Sequence, residues 1–294
     1  MWCETSDGER GFRLDSRGIV VIEPRRGLGT LRIRETWEAR GLLGILVWRD
    51  ITIRYKQTVL GVLWAFLQPA LTALVFTLLF GRLAGIASDG VPYTLFSYTG
   101  LVLWTFFSQG VALSSNSLVN SAHIITKVYF PRVFLPAAAI FAGLVDLVLA
   151  SSLILVIAAV VDFPLKLNLL LGVSSVLLAL VVAMSVSLWL SSLNVLYRDV
   201  RFIVPFLIQI WLFLTPVIYP ASVVAPRLEA MGLPEWAIAL NPMVGAIEGF
   251  RSAILGGEAE ASGYLLIGWG VAFFLLVTGL LFFRRTEARF ADVV

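Results

Sequence analysis

The chain has 294 residues, of which 59% are hydrophobic and 14% charged, with a mean hydropathy of +0.91 and a net charge of +3. A water-soluble domain carries about 25% charged residues, so this composition excludes one. A single cysteine, Cys3, excludes an internal disulfide and any cysteine-based metal cluster.

Of the 22 Lys and Arg residues, 11 fall between Arg10 and Lys56, which suits an anionic membrane surface better than nucleic acid. The opening MWCETSDGERGFRLDSRG holds no apolar core of the kind a cleavable leader uses. Residues 1–29 as a whole are expected to be poorly ordered, with GIVVIEP as a short strand against a partner. Leu31–Thr58 reads as helix, broken near Gly41 and Gly44. Within it ITIRYK alternates as a strand does, but no neighbouring strand is available, so helix is the better reading. The mixed charge, with Trp37 and Trp48, fits a helix lying on the membrane surface. Arg54, Tyr55 and Lys56 then form an anchor at the inner headgroups, and positive-inside anchoring alone accounts for those charges.

A helix needs about 20 apolar residues to cross about 30 Å of hydrocarbon. Six segments qualify, near Val59–Phe80, Phe96–Leu118, Val133–Val161, Leu167–Leu190, Phe202–Tyr219 and Tyr264–Phe283. Nothing alternates over the roughly ten-residue strands of a barrel. The expected fold class is therefore all-α: a polytopic membrane protein with six transmembrane helices over 59–283, an N-terminal interfacial helix over 30–58, short re-entrant helices before the last span, and a tail over 284–294.

In the first span Gly61, Trp64, Gln68 and Thr72 share one stripe of the helix. In the fifth, Phe202, Phe206, Gln209, Phe213 and Pro216 recur at comparable spacing. Lipid does not favour a glutamine, so both stripes face protein or an aqueous path. A sugar has apolar C–H faces and hydroxyl edges, and flat aromatic rings beside amides match both. Helix–helix packing, with each glutamine bonded across an interface, is the alternative. Asp146 is the one acid deep in a span and needs a partner, water or a proton. A polar contact within the bundle is the better reading than proton coupling, which usually involves more than one such acid.

Between spans two and three, Ser117 to Lys127 is too polar for lipid, and Pro131 stops any helix before span three. His123 and Lys127, four apart, suit one face of a short helix; the single histidine is not read as a metal ligand or proton relay. Arg198, Asp199 and Arg201 lie in a second short connection, where an ion pair is expected to fix the loop. After span five, Pro220, Pro226, Pro234 and Pro242 segment a long connection. Asn241 before Pro242 is a helix start and Gly256-Gly257 a stop. The enclosed segment is largely apolar, with Glu248 and Ser252 on its polar side, and its length suggests an interfacial or re-entrant helix.

Lys and Arg near span ends orient the whole. With the N-terminus cytoplasmic, the inside set is Arg40, Arg49, Arg54, Lys56, Lys127, Arg132, Arg198, Arg201, Arg284, Arg285 and Arg289, against Arg82, Lys166, Arg227 and Arg251 outside. Both termini are then cytoplasmic.

Five motifs, in order, resemble one family: the membrane subunit of type-2 ABC exporters for polysaccharides, covering O-antigen, capsule and teichoic acid. They are RDITIRYKQTVLGVLWAFLQP at 49–69, ITKVYFPRVFLP at 125–136, NVLYRDVR at 194–201, TPVIYP at 215–220 and LNPMVGAIEGFR at 240–251. The resemblance implies a homodimer in the bacterial plasma membrane, two separate ATP-binding cassette subunits, and an undecaprenyl-diphosphate-linked polysaccharide as substrate. It also implies a coupling helix in the loop between spans two and three; His123, Lys127 and Arg132 there, with Arg198 and Asp199 in the second connection, are the expected contacts for the ATP-binding subunit. By the same resemblance the segment with Asn241, Pro242, Glu248 and Arg251 narrows the outer mouth. No G-x-x-x-x-G-K-[ST] loop is present, so ATP hydrolysis and its Mg belong to another polypeptide, and no cofactor is expected on this chain. The alternatives are an ion-gradient-driven carrier, which calls for paired intramembrane acids, and a membrane-embedded glycosyl or acyl transferase, which calls for clustered acids and histidines.

Overall fold

The computed structural model describes residues 12–14, 20–22, 39–56, 61–86, 88–125, 127, 130–256, 258–287 and 290. The chain divides into two compact units, residues 1–40 and 41–294. In the first, β1 (Phe12–Leu14) pairs antiparallel with β2 (Val20–Ile22), Phe12 opposite Ile22. The strand expected in GIVVIEP thus finds its partner in the same chain. The rest of the expectation for residues 1–29, and the helix expected over 31–38, fall outside the described residues.

Two three-residue strands apart, the described residues are helical or in the turns between helices. α1 (Arg40–Tyr55) runs unbroken through Gly41 and Gly44, contrary to the expected break. A glycine costs a helix only about 1 kcal/mol, and both sit near its start. Ile51 to Tyr55 is helical, as the want of a neighbouring strand required. Gly61, at φ +47°, makes the turn into α2 (Leu63–Phe76) in a left-handed conformation that suits glycine. α2 continues into a wide π-helical stretch, Thr77–Leu83.

α3 (Tyr93–Asn120), the single turn α4 (Ala122–Ile125), α5 (Phe134–Val160) and α6 (Leu169–Leu196) follow. α6 outruns its expected end at Leu190. Its late polar residues satisfy themselves on the helix, Ser192 Oγ donating to the Leu188 carbonyl at 2.8 Å. α7 (Val200–Leu214) falls short of the expected Tyr219. Thr215, the residue before Pro216, is extended at φ −110°, ψ 137°, as the proline ring demands. Then come α8 (Ala221–Ala230), a 3₁₀ segment Glu235–Leu240, α9 (Pro242–Leu255) and α10 (Glu258–Glu287).

Among the described residues, four helices are long and apolar enough to cross a membrane: Leu63–Leu83, Phe134–Val160, Leu169–Leu196 and Ala261–Glu287. α3 has 28 residues but is more polar. α7 is apolar but has 15 residues, about 22 Å.

The core is made by α3, α5, α6, α9 and α10. Leu95, Leu103, Phe107, Leu178, Ala183 and Ala272 are fully buried there. Small residues let the backbones approach, as in other membrane bundles. A Cβ on Gly268 would lie 3.0 Å from Leu178, and one on Gly279 3.0 Å from the Ser185 carbonyl. α2 and α7 are thinly packed: α2 buries Pro69 and Ala73, and α7 buries Val204 alone.

The ends of the bundle sort cleanly. Asn194, late in α6, donates to the Ser115 carbonyl and to Asn116 Oδ1 at 2.9 and 3.1 Å. Arg132 donates to the Glu287 carbonyl at the end of α10. The connections α3–α5 and α6–α7 and the last turn of α10 therefore share one end. At the other end the chain before α6 hooks onto the end of α9, with Lys166 and Asn168 N–H groups donating to Ile254 and Ala253 at 2.9 and 2.8 Å.

Candidate functional site

A cavity of about 170 Å³ opens between α2, α3 and α5. Trp64, Gln68, Gln109, Arg54 and Asp146 give it its character. Trp64 and Gln68 come from the stripe read in the sequence, and the helical repeat of α2 brings both to this wall. Trp64 is half exposed. Gln109 on α3 donates its amide to Gln68 Oε1 at 2.9 Å.

Asp146 is ion-paired with Arg54 at the end of α1. This answers the need for a partner in the sense the sequence favoured. It also corrects the expected role of Arg54. Rather than standing among headgroups, Arg54 turns inward, its side chain 22% exposed against 19% for Asp146. Desolvation would leave either charge alone at high cost, and pairing offsets it. Tyr55 and Gly61 also border the cavity, while Lys56 is exposed.

The second stripe is not gathered into this cavity. Phe202, Phe206, Gln209 and Phe213 on α7 are all exposed, with Phe206 at 63%. Arg201 lies over the Phe202 ring at 4.7 Å.

At the end bearing α8 and α9, the four residues read as a gate are brought together, but as a buried clasp. Asn241 caps α9, accepting the Met243 N–H at 3.2 Å. The same oxygen accepts the Trp211 indole N–H at 3.0 Å, and the amide donates to Thr215 Oγ1 at 2.9 Å. Pro242 fills the first helical position. Arg251, 4% exposed and expected as an outer positive charge, is instead sealed in by α3 and the turn after α7. It donates to the Pro216 carbonyl at 2.7 Å, to the Val217 carbonyl, and to Glu248 Oε1 at 3.0 Å. Glu248 and Ser252 do not form a solvated face; Ser252 is 7% exposed and the Glu248 side chain 16%. α9 is buried along most of its length, so Glu248 and the two terminal nitrogens of Arg251 find their partners inside the protein, while Arg251 Nε has none among the described residues. Beside this clasp a second cavity, of about 390 Å³, is lined by Asp89, Ser222, Glu248 and Tyr264 among others.

At the opposite end the α3–α5 connection holds the single turn α4, which includes His123 but stops short of Lys127; both residues are exposed. Arg132 is engaged within the chain, by the Glu287 carbonyl and at 5.9 Å from the Phe290 ring. Arg198 and Asp199 are exposed, and the ion pair expected of Asp199 does not form among the described residues. Its carbonyl instead starts α7, accepting from the N–H groups of Phe202 and Ile203 at 3.0 and 3.2 Å. Among the described residues no group of three or more His, Cys, Asp or Glu is placed to hold a metal.

Gln109, Trp211 and Asp89 were not singled out in the sequence. Gln109 carried the same signal as Gln68, a lone amide in an aromatic run.

Residues 41–255 match the family described as ABC-2 type transporter. The chain is 30% identical over 272 residues to the O-antigen export system permease protein RfbA of Myxococcus xanthus, covering 89% of this chain and 98% of that one. It is 26% identical over 254 residues to an O-antigen export system permease protein RfbA of Klebsiella pneumoniae, covering 86% and 95%.

Proposed function

Because the chain belongs to the ABC-2 type transporter family, we propose that it is the transmembrane permease subunit of an ATP-driven exporter that carries a lipid-linked polysaccharide from the cytoplasmic to the outer face of the bacterial plasma membrane. The near end-to-end match to permeases named for O-antigen export supports the substrate class. The observation that carries it is the cavity of Trp64, Gln68 and Gln109, an aromatic ring beside amides inside an otherwise apolar bundle.

In this reading α3 and α7 complete the four clearly apolar helices to six spans, α7 with the turn at 215–219, and α9 is re-entrant. The end bearing α4 faces the cytoplasm with both termini. His123, Lys127, Arg198 and Asp199 are available there to two ATP-binding subunits, and Arg132 braces the connection from inside. The chain itself carries out no catalysis and binds no cofactor. Two copies assemble into the working unit, and the apolar faces left by α2 and α7, with Phe202, Phe206, Gln209 and Phe213, line the passage between them. The carrier is an undecaprenyl diphosphate. Asn241, Pro242, Glu248 and Arg251 brace the outer mouth. The ion-gradient alternative loses its carrier, because Asp146 is paired with Arg54 and Glu248 with Arg251.

The deciding experiment is to delete the chain and locate the lipid-linked glycan. Export predicts its accumulation on the cytoplasmic side; a normal outer-face glycan would defeat the proposal.

A further inference from the structure

The cavity between α2, α3 and α5 carries more than a general affinity for glycan. At about 170 Å³ it has room for one sugar ring. Its depth is also set. Thr105 and Gln109 on α3 lie 12 and 16 residues from Tyr93, about 18 and 24 Å along the helix from the α8–α9 end. The cavity therefore sits toward the end bearing α4, within the bundle.

Its polar edges are only partly used. The Gln68–Gln109 bond occupies one N–H and one carbonyl oxygen; the Gln68 amide nitrogen and Gln109 Oε1 bond no other group among the described residues. Arg54 engages Asp146 through Nη1 and Asp146 through Oδ2. The Arg54 Nε and Nη2 and the Asp146 Oδ1 likewise have no bond among the described residues. Donors and acceptors thus line the same cavity as the half-exposed ring of Trp64. Vicinal hydroxyls, each both donor and acceptor, satisfy such a lining, while the C–H face of a ring covers the indole.

The charge balance selects further. Arg54 is neutralised by Asp146, and nearby on α1 Asp50 is held by Arg49 at 2.8 Å. A carboxylate or phosphate entering the cavity would shed its hydration and meet an arginine already claimed, with a carboxylate beside it.

We propose that this cavity is a subsite for one uncharged sugar ring, and that the Arg54–Asp146 pair makes it prefer neutral over acidic saccharides. The proposal rests on the export reading above and names the chemistry of its substrate at this point. Trp64 is the stacking platform, Gln68 and Gln109 read hydroxyls, and Asp146 is the specificity-determining residue.

The test uses the full-length chain in lipid nanodiscs, with methyl glucoside and methyl glucuronide as probes, two rings that differ by a carboxylate. Binding is read by saturation-transfer NMR. The native protein is expected to bind the glucoside at least tenfold more tightly. Asp146→Asn leaves Arg54 uncompensated and is expected to turn the preference toward the glucuronide. Trp64→Ala is expected to weaken both. Should Asp146→Asn fail to fold, the charge exchange Arg54→Asp with Asp146→Arg keeps the cavity neutral and is expected to keep the glucoside preference. A folded Asp146→Asn protein with the native preference, an exchanged protein that favours the glucuronide, equal binding of the two probes, or no binding of either would overturn the subsite. If that happens while deletion of the chain still strands glycan inside the cell, export stands and only the subsite falls.

Discussion

The guanidinium of Arg251 lies 3.7 Å from the centre of the Phe96 ring. The same group holds the Pro216 carbonyl and the Glu248 carboxylate, so one side chain ties α9, α3 and the turn after α7 together. Gly100 is part of the arrangement, since a Cβ there would run into the guanidinium. Arg251→Met removes the cation and leaves Glu248 buried alone. The expected loss is about 3–5 kcal/mol, seen as a lowered melting temperature in detergent. Gly100→Ala is expected to destabilise by pushing Arg251 off its carbonyls.

Asn241 joins three elements through one amide. Asn241→Ala removes the cap of α9 and the bonds to Trp211 and Thr215. The cap alone is worth about 1 kcal/mol, so a larger measured loss by thermal melting would report the tertiary bonds.

Gln68 and Gln109 offer a double-mutant cycle. Changing each to Leu, singly and together, is expected to give a coupling near 0.6 kcal/mol, the usual size for such a bond in a membrane bundle. Export is expected to fall in both single variants and in Trp64→Ala, with co-purification of the ATP-binding subunit unchanged. Normal export in all three would make this wall a packing surface.

The shared end of the bundle gives a topology prediction. With Cys3 replaced, a cysteine at Lys127 and one at Arg198 are expected to react with a membrane-impermeant maleimide from the same, cytoplasmic side. One at Trp236 is expected to react from the other. Labelling of Lys127 and Arg198 positions from opposite faces would break the fold.

The assembly of two copies predicts that a cysteine at Phe206, in the protein lacking Cys3, forms a disulfide-linked dimer on mild oxidation. The same change at Val148, 69% exposed on α5, serves as the comparison and is expected to stay monomeric.

Much of this fold is legible in apolar run length. Span three, read as Val133–Val161, differs from Phe134–Val160 by one residue at each end, because lipid solvation leaves little else to set its limits. α6 was read too short because SSLNVL looks polar; its serines bond back to the helix and Asn194 reaches α3, neither visible as hydropathy. α7 was read too long because Thr215-Pro216 sits inside an apolar run, and only the local proline rule marks the stop. Half of the cavity was readable from the spacing of Trp64 and Gln68. The other half depends on Arg54 meeting Asp146 across 92 residues, a pairing no local pattern encodes. Arg251 misled for the opposite reason: a charge count treats every arginine as solvated, and this one is enclosed.

The uneven packing of the helices has a mechanical result. α6, α9 and α10 are locked by contacts that leave no room for a methyl group at Gly245 and Gly249, so they act as a stator. α2 and α7 bury three side chains between them, and α2 ends in a widened coil. Displacing them sacrifices few contacts, so any widening of the conduit falls to these two staves, and faster amide exchange in them than in α6 would register it.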